Sequence, residues 1–321
     1  SLANCKFVGF QNFTNLFGNP IMRENLFRVL RNTLGIQCIN YLLMPLPMLF
    51  AIFLSEIKST RFQKCVQTLT TLPHFISWVI MFSLMSSLFG SSGLVNALMQ
   101  KFGAEMTVNI LTTDKHVWLI QALLYTWKNL GWNAIIYFAA ITGLDQEVNE
   151  AAMIDGANRW QRIRYITIPL LMPTFFVLLI MSIGNFLNSG IDQFLAFSNA
   201  LNKEYIEVLD LYVYNLGIGS GQISFSVAVG VMKSIIALIL FWPTPHPRRS
   251  AAPAYSKERR KHSVTATKLA PRQKPWAKNH HIKMSREDKI YNIVGIILFT
   301  IITLLCVYPF YYLMICTISD Q

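Results

Sequence analysis

The densest chemistry in this sequence is a charged stretch set between two apolar ones, GLDQEVNEAAMIDGANRWQRIRYITIPLLMP at 143–173. Asp145 is placed to cap a short helix running to about Asp155, and Gly156 to end it with a positive φ that glycine adopts without a Cβ penalty. Asn158 is placed to cap a second short helix, through Arg164 to Ile168, which Pro169 stops. Ala151 and Ala152 give the first helix a small-residue surface that another backbone can approach closely. Glu147, Glu150 and Asp155 beside Arg159, Arg162 and Arg164 complete a mixed-charge knob built from a helix, a glycine turn and a helix.

Elsewhere the reactive residue types are sparse. Lys233 lies inside an apolar stretch, where an ionised side chain is costly; it either marks a functional site or pairs within the bundle. Asn185, Asn188 and Asp192 can hydrogen-bond sugar hydroxyls, with Trp78, Trp127 or Trp132 stacking on a ring, or they can satisfy neighbouring helices. His74 follows Pro73 and reads as structural, and His280 with His281 supplies too few ligands for a metal. No G-x-x-x-x-G-K-[ST] run occurs, so the chain cradles no nucleotide phosphate through such a loop and its energy source must be a partner. No Ser/His/Asp grouping or carboxylate pair shares a plausible pocket, and the five cysteines show no CxxC spacing.

These residues must be positioned by elements suited to an apolar solvent. Of 321 residues, 53% are hydrophobic and 14% charged, and the mean hydropathy is +0.39. A soluble domain carries about 25% charged residues, so an ordinary soluble enzyme is excluded. Six stretches reach the roughly 20 apolar residues that a membrane-crossing helix needs: 32–54, 71–90, 117–141, 170–190, 223–242 and 291–315. Together they imply an all-α, polytopic integral membrane bundle. Lys58, Arg61 and Lys64 in one loop, and Arg159, Arg162 and Arg164 in another, place 55–70 and 142–169 in the cytoplasm. Arg23, Arg28 and Arg31 are discordant, because alternation puts them outside. The first twenty residues read as an extracytoplasmic loop, and a chain that starts outside is expected to have an earlier helix preceding Ser1.

The spacing in the knob is specific. Glu150-Ala151-Ala152, three residues, Gly156, nine residues, then Ile166-x-Ile168-Pro169 resembles the EAA motif of ABC-importer permeases, EAA-x3-G-x9-I-x-L-P, with Ile for Leu at 168. TLPHFISWVI at 71–80, GLVNALM at 93–99, WKNLGWNAIIYFAAITGLD at 127–145 and QISFSVAVGVMKSIIALIL at 222–240 resemble the carbohydrate branch of that family, over about residues 6–242. The resemblance implies a permease subunit, in the transmembrane fold of type I importers, in a bacterial plasma membrane. It implies that Glu150, Ala151, Ala152, Gly156, Arg159, Ile166, Ile168 and Pro169 dock on a separate ATPase carrying the ATP and magnesium, with no cofactor on this chain and no nucleic acid. It also implies a second permease subunit, an extracytoplasmic solute-binding lipoprotein and an oligosaccharide cargo, for which Asn185, Asn188, Asp192 and Lys233, read from their types and placement, are the candidate pathway residues. The alternative class is a secondary transporter or channel driven by an ion gradient, which has no reason to carry such a docking loop.

After Trp242 the resemblance stops. Residues 243–289 hold 13 of the 28 Lys+Arg and 3 of the 16 Asp+Glu, and 243–283 has no apolar period with which to fold. Positive flanking of a membrane helix explains this charge without nucleic acid. Residues 284–321, opening MSREDKIYNIVGIILF, resemble the start of the second permease of such a pair. The expectation is a permease domain over 1–242, a basic disordered join over 243–283 and the first helix of a second permease-like segment over 284–321; the join arises from read-through or a frame shift, the rival reading being a genuine fused permease.

Overall fold

The computed structural model describes residues 10–91, 93–103, 111, 113–114, 116–241 and 286–319. The 243–283 segment, with His280 and His281, lies outside the described residues, as do residues 1–9. The described residues are predominantly helical, and the helices are punctuated where caps and prolines dictate.

A short helix α1 (Gln11–Gly18) leads into α2 (Pro20–Leu43) and α3 (Pro45–Ser55). Helix α2 starts well before the expected apolar stretch at 32, so the N-terminal loop reading is corrected. Asn19 accepts from the backbone N–H groups of Ile21 at 3.0 Å and Met22 at 3.5 Å, and Pro20 takes the first helical position, where no N–H is missed. The polar residues on this early part find partners near residue 205. Arg28 bonds Glu207 at 2.7 Å, Asn32 Nδ2 donates to the Glu204 carbonyl at 2.7 Å, and the Arg31 guanidinium lies over the Trp118 and Tyr205 rings. These tethers account for Arg28 and Arg31 among the discordant arginines: a paired or stacked charge is a weaker topological signal than a solvated one.

Helix α4 (Thr60–Thr71) is capped by Ser59, passes through a 3-10 turn at Leu72–Phe75, and gives way to α5 (Trp78–Phe89), capped by Ser77. The expected single helix at 71–90 is therefore broken. Pro73 sits in the turn, and Ile76 and Ser77 are extended, so no helical ladder passes them. Helices α6 (Leu94–Lys101) and α7 (Val117–Thr142) follow.

Helix α7 is the spine of the molecule. One core cluster gathers Ile36, Met81, Leu84, Phe194, Phe197 and Ile206. Another gathers Phe50, Leu54, Val66, Ala134, Tyr137 and Phe299. At Gly131 the spine touches the end of α4 so closely that a Cβ would fall on the Thr70 carbonyl and within 2.7 Å of the Thr71 nitrogen.

Beyond the knob lie α10 (Ile168–Gly184), then α11 (Asp192–Phe197), α12 (Lys203–Ile206) and α13 (Leu209–Tyr214), and last α14 (Ile223–Phe241) and α15 (Arg286–Ser319). The 191–222 stretch between apolar segments is built of three short α-helices and a π turn at Asn215–Gly219, and it buries Phe194, Phe197, Ile206, Val208 and Leu211. Among the described residues, Pro20–Ser55, Trp78–Lys101, Arg159–Gly184 and Lys289–Tyr311 are long and apolar enough to cross a membrane, and Ile223–Ile239 is a shorter apolar helix. Helix α7 has the length, 26 residues, but Gln121, Lys128, Asn129 and Asn133 lower its hydropathy; of these Gln121 and Lys128 are buried. Helix α15 packs on α3 and α4: Phe299 meets the Phe50 ring edge-on at 5.4 Å, Gly295 rests on Ile57, and Asn292 Oδ1 accepts from the Lys58 N–H at 3.3 Å.

Candidate functional site: a docking knob and a polar cavity

The knob forms as its local chemistry dictates. Asp145 accepts from the Glu147 N–H at 3.0 Å and starts α8 (Gln146–Ile154). Gly156 ends it with φ +81°. Its N–H donates to the Met153 carbonyl at 3.2 Å, and the Ala157 N–H to Ala152 at 2.9 Å, the paired bonds of a Schellman end. Asn158 then opens α9 (Arg159–Arg162) with a reciprocal capping box: its Oδ1 accepts from the Gln161 N–H, and Gln161 Oε1 from the Asn158 N–H, both at 2.8 Å.

The second helix does not stop at Pro169. A π turn over Ile163–Thr167 joins α9 to α10, with the Ile168 N–H reaching back to the Ile163 carbonyl. The wider turn absorbs the missing proline N–H, and Pro169 sits in the first turn of α10. Hence the knob and a membrane helix are one continuous rod from Arg159 to Gly184.

Glu150, Ala151, Gly156 and Pro169 are exposed, and Ala152, Ile166 and Ile168 half-buried. Arg159 turns inward: its Nε lies 3.2 Å from Glu56 Oε2 and its guanidinium 4.5 Å from the centre of the Tyr291 ring. Glu56 ends α3, so the 55–70 loop and the knob share one end of the molecule. Trp160 stacks on Phe53 of the same helix. Sequence reasoning missed the apolar tip, where Ile154 is 87% exposed and Val148 and Met153 nearly half exposed. Large apolar side chains within a charged loop were the available signal.

At the other end of the rod, α2, α7, α10 and the turn after α10 enclose a cavity of about 390 Å³, within the usual range of about 300–1,000 Å³ for ligand pockets. Its wall offers Gln37, Asn40 and Tyr41 from α2, and Gln121, Tyr125, Thr126 and Asn133 from α7. The rod and the following turn add Ser182, Asn185, Asn188 and Ser189, and α11 adds Gln193. Tyr41 donates to the Ser182 carbonyl at 2.7 Å and stacks on Phe186. Gln193 donates to the carbonyl and side-chain oxygens of Gln121, both at 2.9 Å. Asn40 Oδ1 is buried and has no hydrogen-bond partner among the described residues.

Of the residues expected on a pathway, Asn185 and Asn188 line this cavity, in the turn past α10 and not within the helix. Asp192 does not line it; it stands exposed in the first turn of α11. Lys233 of α14 is ion-paired with Asp210 of α13. Asp210 Oδ2 accepts from the N–H groups of Ser189 at 2.9 Å and Gly190 at 3.2 Å. The tryptophans lie elsewhere: Trp78 and Trp127 pack on the first core cluster, and Trp132 stacks on His74 at 4.4 Å. His74 Nδ1 meets Asn129 Oδ1 at 2.9 Å. Among the described residues no cluster of metal-ligating side chains occurs.

Comparison with known proteins places this geometry. Residues 44–244 match the family model described as "Binding-protein-dependent transport system inner membrane component". Protein LplB of Bacillus subtilis (strain 168) is 37% identical over 241 residues, 74% of each chain. The polygalacturonan/rhamnogalacturonan transport system permease protein YteP of the same strain is 40% identical over 241 residues, again 74% of each. A crystal structure of a bacterial ABC transporter involved in the import of the acidic polysaccharide alginate superposes with a TM-score of 0.71 at 31% identity, over 78% of this chain and 86% of that one.

Proposed function

Since this chain belongs to the family of binding-protein-dependent transport system inner membrane components, we propose that it carries an oligosaccharide through the cavity between α2, α7 and α10, driven by an ATPase docked on the knob. It is a transmembrane permease subunit of a sugar ABC importer, a transport component and not an enzyme. The observation that carries the mechanism is the continuous rod Arg159–Gly184. It begins in the knob and runs on to the wall that presents Ser182, with Asn185 just past its end.

A sugar needs many neutral donors and acceptors plus flat faces, and the amides, hydroxyls and tyrosines of the cavity supply both. Asn40 Oδ1 is an acceptor waiting for a hydroxyl. At the other end, the exposed Ile154, Met153 and Val148 beside Glu150 give an ATPase groove an apolar anchor with a charged rim. Closing of two ATPase subunits on ATP and magnesium displaces the knob. The rod transmits that displacement, and the Glu56–Arg159 contact carries it to α3. The cavity then opens to the outer face, where a solute-binding protein delivers the sugar, and a second permease subunit completes the pathway.

The test is purification of the tagged chain from a host co-expressing the neighbouring importer genes, then reconstitution into liposomes. ATPase should co-purify, and ATP should drive uptake of at least one sugar from a panel of maltotriose, xylotriose, arabinotriose and trigalacturonate. Uptake that persists without ATP, or a chain that purifies without any ATPase, would overturn the reading.

A further inference from the structure

We propose that Asp210 is a positioning residue of the transport pathway: its carboxylate, paired with Lys233 of α14, fixes the turn at Ser189–Gly190 that forms one wall of the cavity. The proposal rests on the cavity being the cargo pathway. Two observations converge on it. Asp210 Oδ2 accepts from two successive backbone N–H groups, Ser189 at 2.9 Å and Gly190 at 3.2 Å, while its other oxygen takes Lys233 from α14. Gly190 holds φ +75°, and nothing lies within 4 Å of where a Cβ would be, so backbone conformation and not crowding demands glycine there.

The turn so fixed is functional ground. Ser189 lines the cavity, and its Oγ accepts from Gln37 Nε2 at 3.2 Å. Asn40 in turn donates to Gln37 Oε1 at 3.3 Å. A single carboxylate therefore holds the end of a chain of amides that face the cargo. An ion pair in so apolar a bundle is costly to keep. If it served only to neutralise Lys233, any acid reaching Lys233 would do, and the two backbone bonds would have no purpose.

Charge and acceptor can be separated. Asp210→Asn with Lys233→Met removes both charges and leaves an oxygen for the two N–H groups. Asp210→Leu with Lys233→Met is equally neutral and leaves none. In the full importer the first pair of substitutions should keep uptake of the transported panel sugar within about threefold of the parent, and the second should cut it about tenfold or more at equal membrane level. Independently of any sugar, hydrogen exchange of the purified chain over 185–191 should rise about tenfold in the Leu variant only. Equal exchange and equal uptake in the two would overturn the proposal, leaving a pair that merely balances charge. Should the Leu variant fail to insert, Gly190→Val reaches the same turn without touching the pair; normal uptake there overturns the proposal too. Absence of ATP-driven uptake in the parent would fell the transport reading itself, a distinct result.

Discussion

Gly156 is the residue on which the proposed docking turns. It closes α8 at φ +81°, where a β-branched side chain is strained by about 1–2 kcal/mol or more. Nothing lies within 4 Å of its absent Cβ, so the cost is conformational and not steric. Gly156→Val should lower uptake at least about tenfold while membrane level is kept, because the turn re-aims α9 and the knob no longer fits its partner. Glu150→Lys should act more mildly, since it alters one exposed contact. Immunoblots of membranes, ATPase co-purification and uptake distinguish these outcomes, and normal transport by Gly156→Val would remove the knob from the coupling path. Within the cavity, Asn40→Leu should lower uptake severalfold with ATPase co-purification unchanged, for its Oδ1 serves no partner among the described residues. The knob was legible in the sequence because each of its signals is local: a cap, a glycine and a second cap within fourteen residues of Asp145. The cavity was only half legible. Asn185 and Asn188 stood out in an apolar context, but Gln37 and Asn40 come from α2 and Gln121 and Asn133 from α7, and nothing in one sequence says that the two faces converge.

Helix packing decides the next scale. Gly131 lets the spine α7 rest on the backbone at the end of α4, and any side chain there meets a peptide group that cannot rotate away. Gly131→Val should lower membrane level and melting temperature; a variant as abundant and stable as the parent would mean that α4 and α7 are not in contact as described. Glu56 makes a different joint, tying α3 to α9 through Arg159 at 3.2 Å, with Arg162 at 4.0 Å. Glu56→Ala should loosen the knob from α3, so that ATP hydrolysis continues while uptake per ATP falls; an unchanged ratio would show the joint idle. Hydropathy alone could not place the start of α2 or the helices of 191–222. The polar residues of α2 that mask its start are satisfied by Glu204 and Glu207, nearly 180 positions away, and the short helices between Asp192 and Tyr214 are each too brief for an apolar window.

Over the whole molecule, α15 is the unexpected joiner. It lies outside the family match at 44–244, yet it buries Phe299 against Phe50 and sets Tyr291 beside Arg159 at the knob. Co-expressed as separate chains, residues 1–242 and 284–321 should therefore co-purify, and Phe299→Asn should abolish the association; failure of the unmodified pair to associate would show that the contact needs the covalent connection. The rod from knob to cavity also carries a phase. An α-helix advances about 100° per residue, at 3.6 residues per turn, and the π turn at Ile163–Thr167 sets where that count begins. Leu178, Met181, Ser182 and Asn185 meet the cavity in the present count, and the residues following Leu178, Ser182 and Asn185 are the apolar Leu179, Ile183 and Phe186. Deleting one residue from the turn would re-clock α10 by more than a quarter of a revolution, bringing Ile183 to the place of Ser182 and Phe186 to that of Asn185. A turn in the knob about 22 Å away, counting 1.5 Å for each residue from Thr167 to Ser182, thus indexes the lining of the cavity as a detent indexes a dial.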